Sequence, residues 1–205
     1  TPGALTARLV DSSTSLTNGA TTNVSTNGNT SAYSSAAVSL STSITAVNDA
    51  PTLSATAANP TFTEGAGSTQ ATAVTVFTSA SISTVEAGQT ITGLTFTVSG
   101  LVDGANEKIS VDGTAITLGA GSTGTTATNS MAYSVALSGT TATVTLTKAA
   151  GITTSLTQTL VNGITYQNTL LDTPTVGNRT FTLTQIKDSG GGTSPNVDTT
   201  TLSLA

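Results

Sequence analysis

Histidine, cysteine and tryptophan are missing from this chain, aromatic residues amount to 3%, and charged residues to 7% of its 205 positions. Each shortage excludes a chemistry. Without histidine there is no ready general base near neutral pH, and the abundant serines have no imidazole partner to activate them. Without cysteine there are no zinc ribbons, thiol chemistry or disulfide staples. The five bases, Arg8, Lys108, Lys148, Arg179 and Lys187, are scattered among ten acids, leaving a net charge of −5; that is no footprint for nucleic acid. No apolar run approaches the roughly 20 residues of a membrane helix, so no membrane insertion is expected in this segment. Hard cations that favour oxygen remain compatible with this composition.

What is present is threonine, nearly a quarter of the chain, with serine, glycine and asparagine making up much of the remainder. Such a mixture fits either half-exposed strands or disordered linker, and the period of the apolar residues decides between them. "TITGLTFTVSG" (90–100), "TATVTLT" (141–147) and "RTFTLT" (179–184) alternate apolar and hydroxyl residues, which is a strand pattern. Strands are expected near 52–57, 72–79, 90–99, 107–111, 114–118, 130–137, 141–147, 163–167, 179–187 and 199–205. Turns are expected at Asp112-Gly113 and Ser138-Gly139. "TTSLTQTLVNGITYQN" (153–168) breaks the rhythm and reads as a short helix ending at Gly163, then a strand. The core must come from Val, Leu and Ile, each worth roughly 1.5–3 kcal/mol when fully buried. The predicted fold class is all-β, a β-sandwich with one short crossover helix.

Two stretches near the ends match. "LTARLVDSS" (5–13) and "TLTQIKDSG" (182–190) both run from an alternating strand into Asp-Ser, and "AVSLS" (37–41) pairs with "TLSLA" (201–205). The expected organisation is therefore a tandem array. Residues 1–50 carry the C-terminal strands of a preceding repeat plus a junction, and 51–205 form one nearly complete repeat lacking the end of its last strand. Thr1 is not a methionine, so the sequence reads as a mature or excerpted segment, with residues like "TSITAVNDAP" (42–51) expected beyond Ala205. Two or three strands cannot bury enough to stand alone, so residues 1–50 should pair with an upstream module or another copy of the chain.

"AVNDAP" (46–51) followed by "TFTEG" (61–65) resembles the cadherin-like, immunoglobulin-like tandem repeats of giant bacterial surface adhesins, in which an Asn-Asp-x-Pro junction separates β-sandwiches. "STVEAGQTITGLTFTVSG" (83–100), "VDGTAITL" (111–118), "LTQTLVNGITYQNT" (156–169) and "IKDSGGGT" (186–193) are similar as well. "DSGGGTS" (188–194) departs from the glycine-aspartate nonapeptide of calcium β-rolls, so that fold is not implied. The resemblance implies an extracellular, cell-surface location, a non-enzymatic spacer role and calcium at the junction. Neighbouring repeats of the same chain, or other copies of it, would be the partners, and a distal domain would meet a surface glycan or protein.

Pro51 fixes φ, removes a donor and pushes Ala50 toward extended geometry, which stiffens the junction. Asn48 and Asp49 offer side-chain oxygens there. Glu64 and Asp11 are candidate partners for a calcium ion, with Asp188 and Asp198 serving the next junction. Asn-Asp before proline is equally ordinary turn chemistry, in which the side chains bond their own backbone. Two further readings stay open: a filament subunit assembled by head-to-tail strand exchange, and a carbohydrate- or protein-binding module, against which the few aromatics and arginines weigh. Asp103, Glu107 and Asp112 in "VDGANEKISVDG" (102–113) are carboxylates of the kind glycosidases use, but the stretch fits polar turns around a strand with Glu107 and Lys108 solvated. "GAGSTGTT" (119–126) lacks a phosphate-loop lysine and is expected to be a flexible loop.

Overall fold

The computed structural model describes residues 5–205. Mostly β-structure in antiparallel sheets with one short helix, the chain divides into two compact units, one ending at Ala46 and one spanning Val47–Ala205.

In the first unit β1 (Leu5–Ala7) pairs antiparallel with β2 (Val38–Leu40), and an isolated bridge joins Val10 to Tyr33. Arg8 clamps the returning chain by donating from Nη1 to the carbonyls of Ser34 (2.6 Å) and Ser35 (2.8 Å). Leu9 is 79% exposed, Val38, Leu40 and Ile44 are exposed too, and among the described residues the buried hydrophobic core begins at Leu53. Among the described residues of this unit no side chain is fully buried.

The second unit contains β3 (Thr52–Ala57), β4 (Val74–Thr75), β5 (Phe77–Ser83), β6 (Ile91–Ser99), β7 (Glu107–Val111), β8 (Thr114–Thr117), β9 (Thr123–Thr125), β10 (Ala132–Ser138), β11 (Thr141–Ile152), the helix α1 (Thr154–Asn162), β12 (Thr165–Asn168), β13 (Thr180–Asp188) and β14 (Thr199–Leu204). They form a six-stranded sheet ordered β14-β13-β6-β11-β10-β9, a four-stranded sheet β4-β12-β7-β8, and the pair β3-β5. One core draws on both larger sheets: Phe96, Leu146 and Leu183 come from the first, and Ile109, Ile116 and Tyr166 from the second. Period two delivers this, since in β6 Ile91, Leu94, Phe96 and Val98 are buried while the intervening threonines stay half-exposed.

The helix begins where Thr153 caps it, its side chain accepting from the Leu156 amide, and it buries Thr157, Leu160 and Val161. Gly163 ends it as expected, with a right-handed φ of −89° rather than a left-handed cap. The Asp112-Gly113 turn is as read, both residues having positive φ (50° and 78°), as a two-residue hairpin requires.

Two expectations are corrected. Part of 119–126 is a strand: β9 pairs with β10 because Gly124, opposite Tyr133, leaves room for the tyrosine ring to lie across it. Glu107, expected in solvent, is completely buried, because β7 points it inward toward Arg179 and Tyr166.

Candidate functional site

Asn48 gathers polar contacts from residues 140 to 149 positions later in the chain. Its backbone amide donates to Asn196 Oδ1 (2.8 Å), its carbonyl accepts from the Val197 amide (2.9 Å), and its Nδ2 donates to the Val197 carbonyl (2.6 Å) and more weakly to Asp188 Oδ1 (3.4 Å). Gln89 Nε2 donates to Asn48 Oδ1. The loop between β13 and β14 is thereby stitched to the residues entering β3, and that loop must run close. A Cβ on Gly190 would collide with the Asn48 amide, and one on Gly192 would approach the Asp198 carboxylate to 2.7 Å.

Asp188, at the end of β13, is 1% exposed. Its Oδ1 accepts from the Gly190 amide (2.9 Å), but its Oδ2 is buried without a hydrogen-bond partner. Burial foremost, then the negative charges of Asp198 and Glu86, hold its carboxyl above the ordinary carboxylate range, against the pull of the Gly190 and Asn48 hydrogen bonds. Glu86 Oε1 accepts from the Asp49 amide (3.2 Å), leaving its buried Oε2 unpartnered, and Gln89 Oε1 is a third buried oxygen without a donor.

The six residues singled out by sequence are thus distributed unevenly. Asn48 and Asp188 meet directly. Asp49 is exposed and joins through its backbone amide. Asp198 lies alongside, its carboxylate held by Thr199 Oγ1 (2.8 Å) and Lys187 Nζ (3.1 Å), contacts that lower its pKa. Glu64 is elsewhere: it lines a cavity with Phe62, Tyr166 and Arg179, beyond the opposite end of β13 from Asp188. Nine residues separate Arg179 from Asp188, roughly 30 Å of strand. Asp11 belongs to the first unit, where its Oδ1 accepts from the Ser13 amide (2.8 Å) in a local turn and its pKa falls because of the Ser13 hydroxyl and amide. Glu86 and Gln89 were not singled out by sequence reasoning, and the one signal for them was that "VEAGQ" holds the only acid between β5 and β6.

Calcium, which the resemblance implies, fits the donors beside Asn48. They are oxygens only, buried, and short of positive partners. Among the described residues no three acidic side chains gather closely enough to hold a metal ion by themselves, so amide, backbone carbonyl or water oxygens would have to complete any such site.

The second polar cluster is spent on structure. Glu107 Oε2 accepts from the amides of Val102 (2.8 Å) and Asp103 (3.1 Å), and its Oε1 accepts from Tyr166 Oη (2.9 Å) and Arg179 Nε. Asp103 binds the other side of the guanidinium at 3.4 Å and holds Thr175 through its amide (2.9 Å) and hydroxyl (2.5 Å). Burial, then the Glu107 charge, pushes the Tyr166 phenol far above its usual range, so it serves as a fixed donor. With four donors on Glu107, no lone pair is left facing a substrate. Asp112 is likewise used up, accepting from Thr126 Oγ1 (2.5 Å) and from the Asn129 amide (2.9 Å) and side chain (2.5 Å).

No helix among the described residues is long and apolar enough to cross a membrane. No protein-family model, no curated protein and no solved structure matches this chain.

Proposed function

We propose that this chain is a non-enzymatic structural repeat of an extracellular bacterial surface adhesin, a calcium-stiffened spacer that projects a distal binding domain, with an immunoglobulin- or cadherin-like β-sandwich as its main module. The observation that carries the reading is the lock at Asn48: the residue that opens the junction is tied through backbone and side chain to a loop about 150 residues later. A junction anchored in this way passes tension to the body of the module rather than to a loose strand end. A single core shared by two antiparallel sheets supports the sandwich, and commitment of Glu107 and Asp112 to internal hydrogen bonds supports a role without catalysis. The partners are neighbouring repeats of the same chain, and a glycan or protein is met by the distal domain.

Small-angle scattering of the full chain tests the reading. The expected result is a monomer whose distance distribution narrows in millimolar calcium relative to EGTA. A profile unchanged by calcium overturns the stiffening.

A second reading has its own observation. β2 exposes Val38 and Leu40, the loop segments flanking the pair expose Leu9 and Ile44, and among the described residues of this unit no side chain is fully buried, as strands awaiting the sheet of another copy would show. Concentration-dependent fibres in the same samples would favour a strand-exchanged filament.

A further inference from the structure

We propose that Glu86, Gln89 and Asp188 form the pocket of one calcium ion wholly within the second unit, closed by the Gly190–Gly192 loop and positioned by Asn48. The choice of calcium rests on the spacer reading above; the ligands follow from the atoms themselves.

Each of the three side chains is anchored through one polar atom and presents the other. Glu86 is held by the Asp49 amide at 3.2 Å, Asp188 by the Gly190 amide at 2.9 Å, and Gln89 by Asn48 Oδ1. The remaining oxygens, Glu86 Oε2, Asp188 Oδ2 and Gln89 Oε1, are all buried and all lack a donor. The amide orientations are fixed by their neighbours. Asn48 must turn Nδ2 to the Val197 carbonyl, so Oδ1 faces Gln89, which must answer with Nε2 and turn its own oxygen away.

A buried oxygen without a donor is costly, and a buried carboxylate without a counter-charge more so. Within one protein these three atoms would be hard to retain for packing alone. A proton on Asp188 relieves one of them. A divalent cation satisfies all three and turns the repulsion between the Glu86 and Asp188 charges into shared attraction. Calcium fits better than magnesium, because it accepts irregular mixtures of carboxylate, amide and water oxygens, whereas magnesium demands a near-ideal octahedron. The Gly190–Gly192 backbone is what lets the loop close over Asn48 and Asp198, where side chains would intrude.

Calorimetric titration of the full chain with calcium, after EGTA treatment and dialysis, tests the assignment, with thermal unfolding in calcium and in EGTA as a second readout. One site per chain is expected, with a dissociation constant on the order of 10⁻⁴–10⁻³ M. Glu86→Gln should weaken binding at least tenfold while its unfolding midpoint in EGTA is no lower than that of the parent, since the substitution removes a like charge. Glu64→Gln and Asp11→Asn should bind as the parent does. Parent-like binding in Glu86→Gln with loss in either of the other two variants would overturn the pocket and leave calcium at the junction intact. No heat and no midpoint shift up to about 10 mM calcium, well above that range, would overturn the pocket while the monomeric-spacer reading stands or falls on scattering. A response to magnesium alone would overturn the choice of ion.

Discussion

Asn48 Nδ2 lies 2.6 Å from the carbonyl oxygen of Val197, a hydrogen bond spanning 149 residues of sequence and closing the second unit end to end. The Val197 amide returns to the Asn48 carbonyl at 2.9 Å, so the two residues hold each other through two hydrogen bonds.

Asn48→Ala removes the side-chain half of this lock. It leaves the Val197 carbonyl and Gln89 Nε2 without partners, which costs about 1–3 kcal/mol for the unsatisfied groups. Urea unfolding followed by circular dichroism should show the midpoint fall with an unchanged slope.

Gly190→Ala acts on the same lock from the loop side. The added methyl collides with the Asn48 amide, so one of the two must move. Hydrogen exchange should rise across 188–198 and at Asn48, while β7 and β8, which take no part in the lock, keep their protection.

Arg179→Met strands Glu107, a completely buried carboxylate, without its counter-charge. Breaking a buried pair from one side costs about 3–5 kcal/mol. The double variant Arg179→Met, Glu107→Gln should recover much of that loss by chemical denaturation. A single variant as stable as the parent would contradict the clasp described above.

The Asp103 carboxyl is subject first to burial, which raises its pKa, but Thr175, Asn168 and Arg179 together outweigh this and hold it below the ordinary carboxylate range. Its contribution to stability is therefore complete above that range and is lost as pH falls through the depressed folded-state value. Acid titrations of stability should show a shallower low-pH limb in Asp103→Asn than in the parent.

Period two in the sequence was enough to place β6, β11 and β13, because one face of each strand is buried and the other is not. The helix ending at Gly163 and the Asp112-Gly113 turn were legible for equally local reasons, a break in the period-two rhythm stopped by a glycine and a pair of turn formers. What failed was everything decided by partners distant in sequence. Glu107 reads as a solvated charge until Arg179, 72 residues on, is folded against it. Asp188 was recognised as a candidate, yet Glu86 and Gln89 arrive from a loop in which sequence reasoning singled out no residue, and Glu64, close to the junction in sequence, ends up at the other end of the strand. Local pattern reports which face a residue occupies, not which loop it meets.

The helix also does something beyond filling the core. The amide of Ala80 donates to Asn162 Oδ1 (2.9 Å) and that of Ile82 to Gln158 Oε1 (3.3 Å), so two side chains of α1 take up alternate backbone donors of β5, whose other neighbour is β3. A strand arriving from a second molecule would find that border already occupied. Proteins commonly guard exposed strand borders with lysine or other charges, and this chain has very few of them to spend. Two neutral amides on a helix cover this one border of β5 without any charge, so salt, which screens charged pairs, has little hold on them.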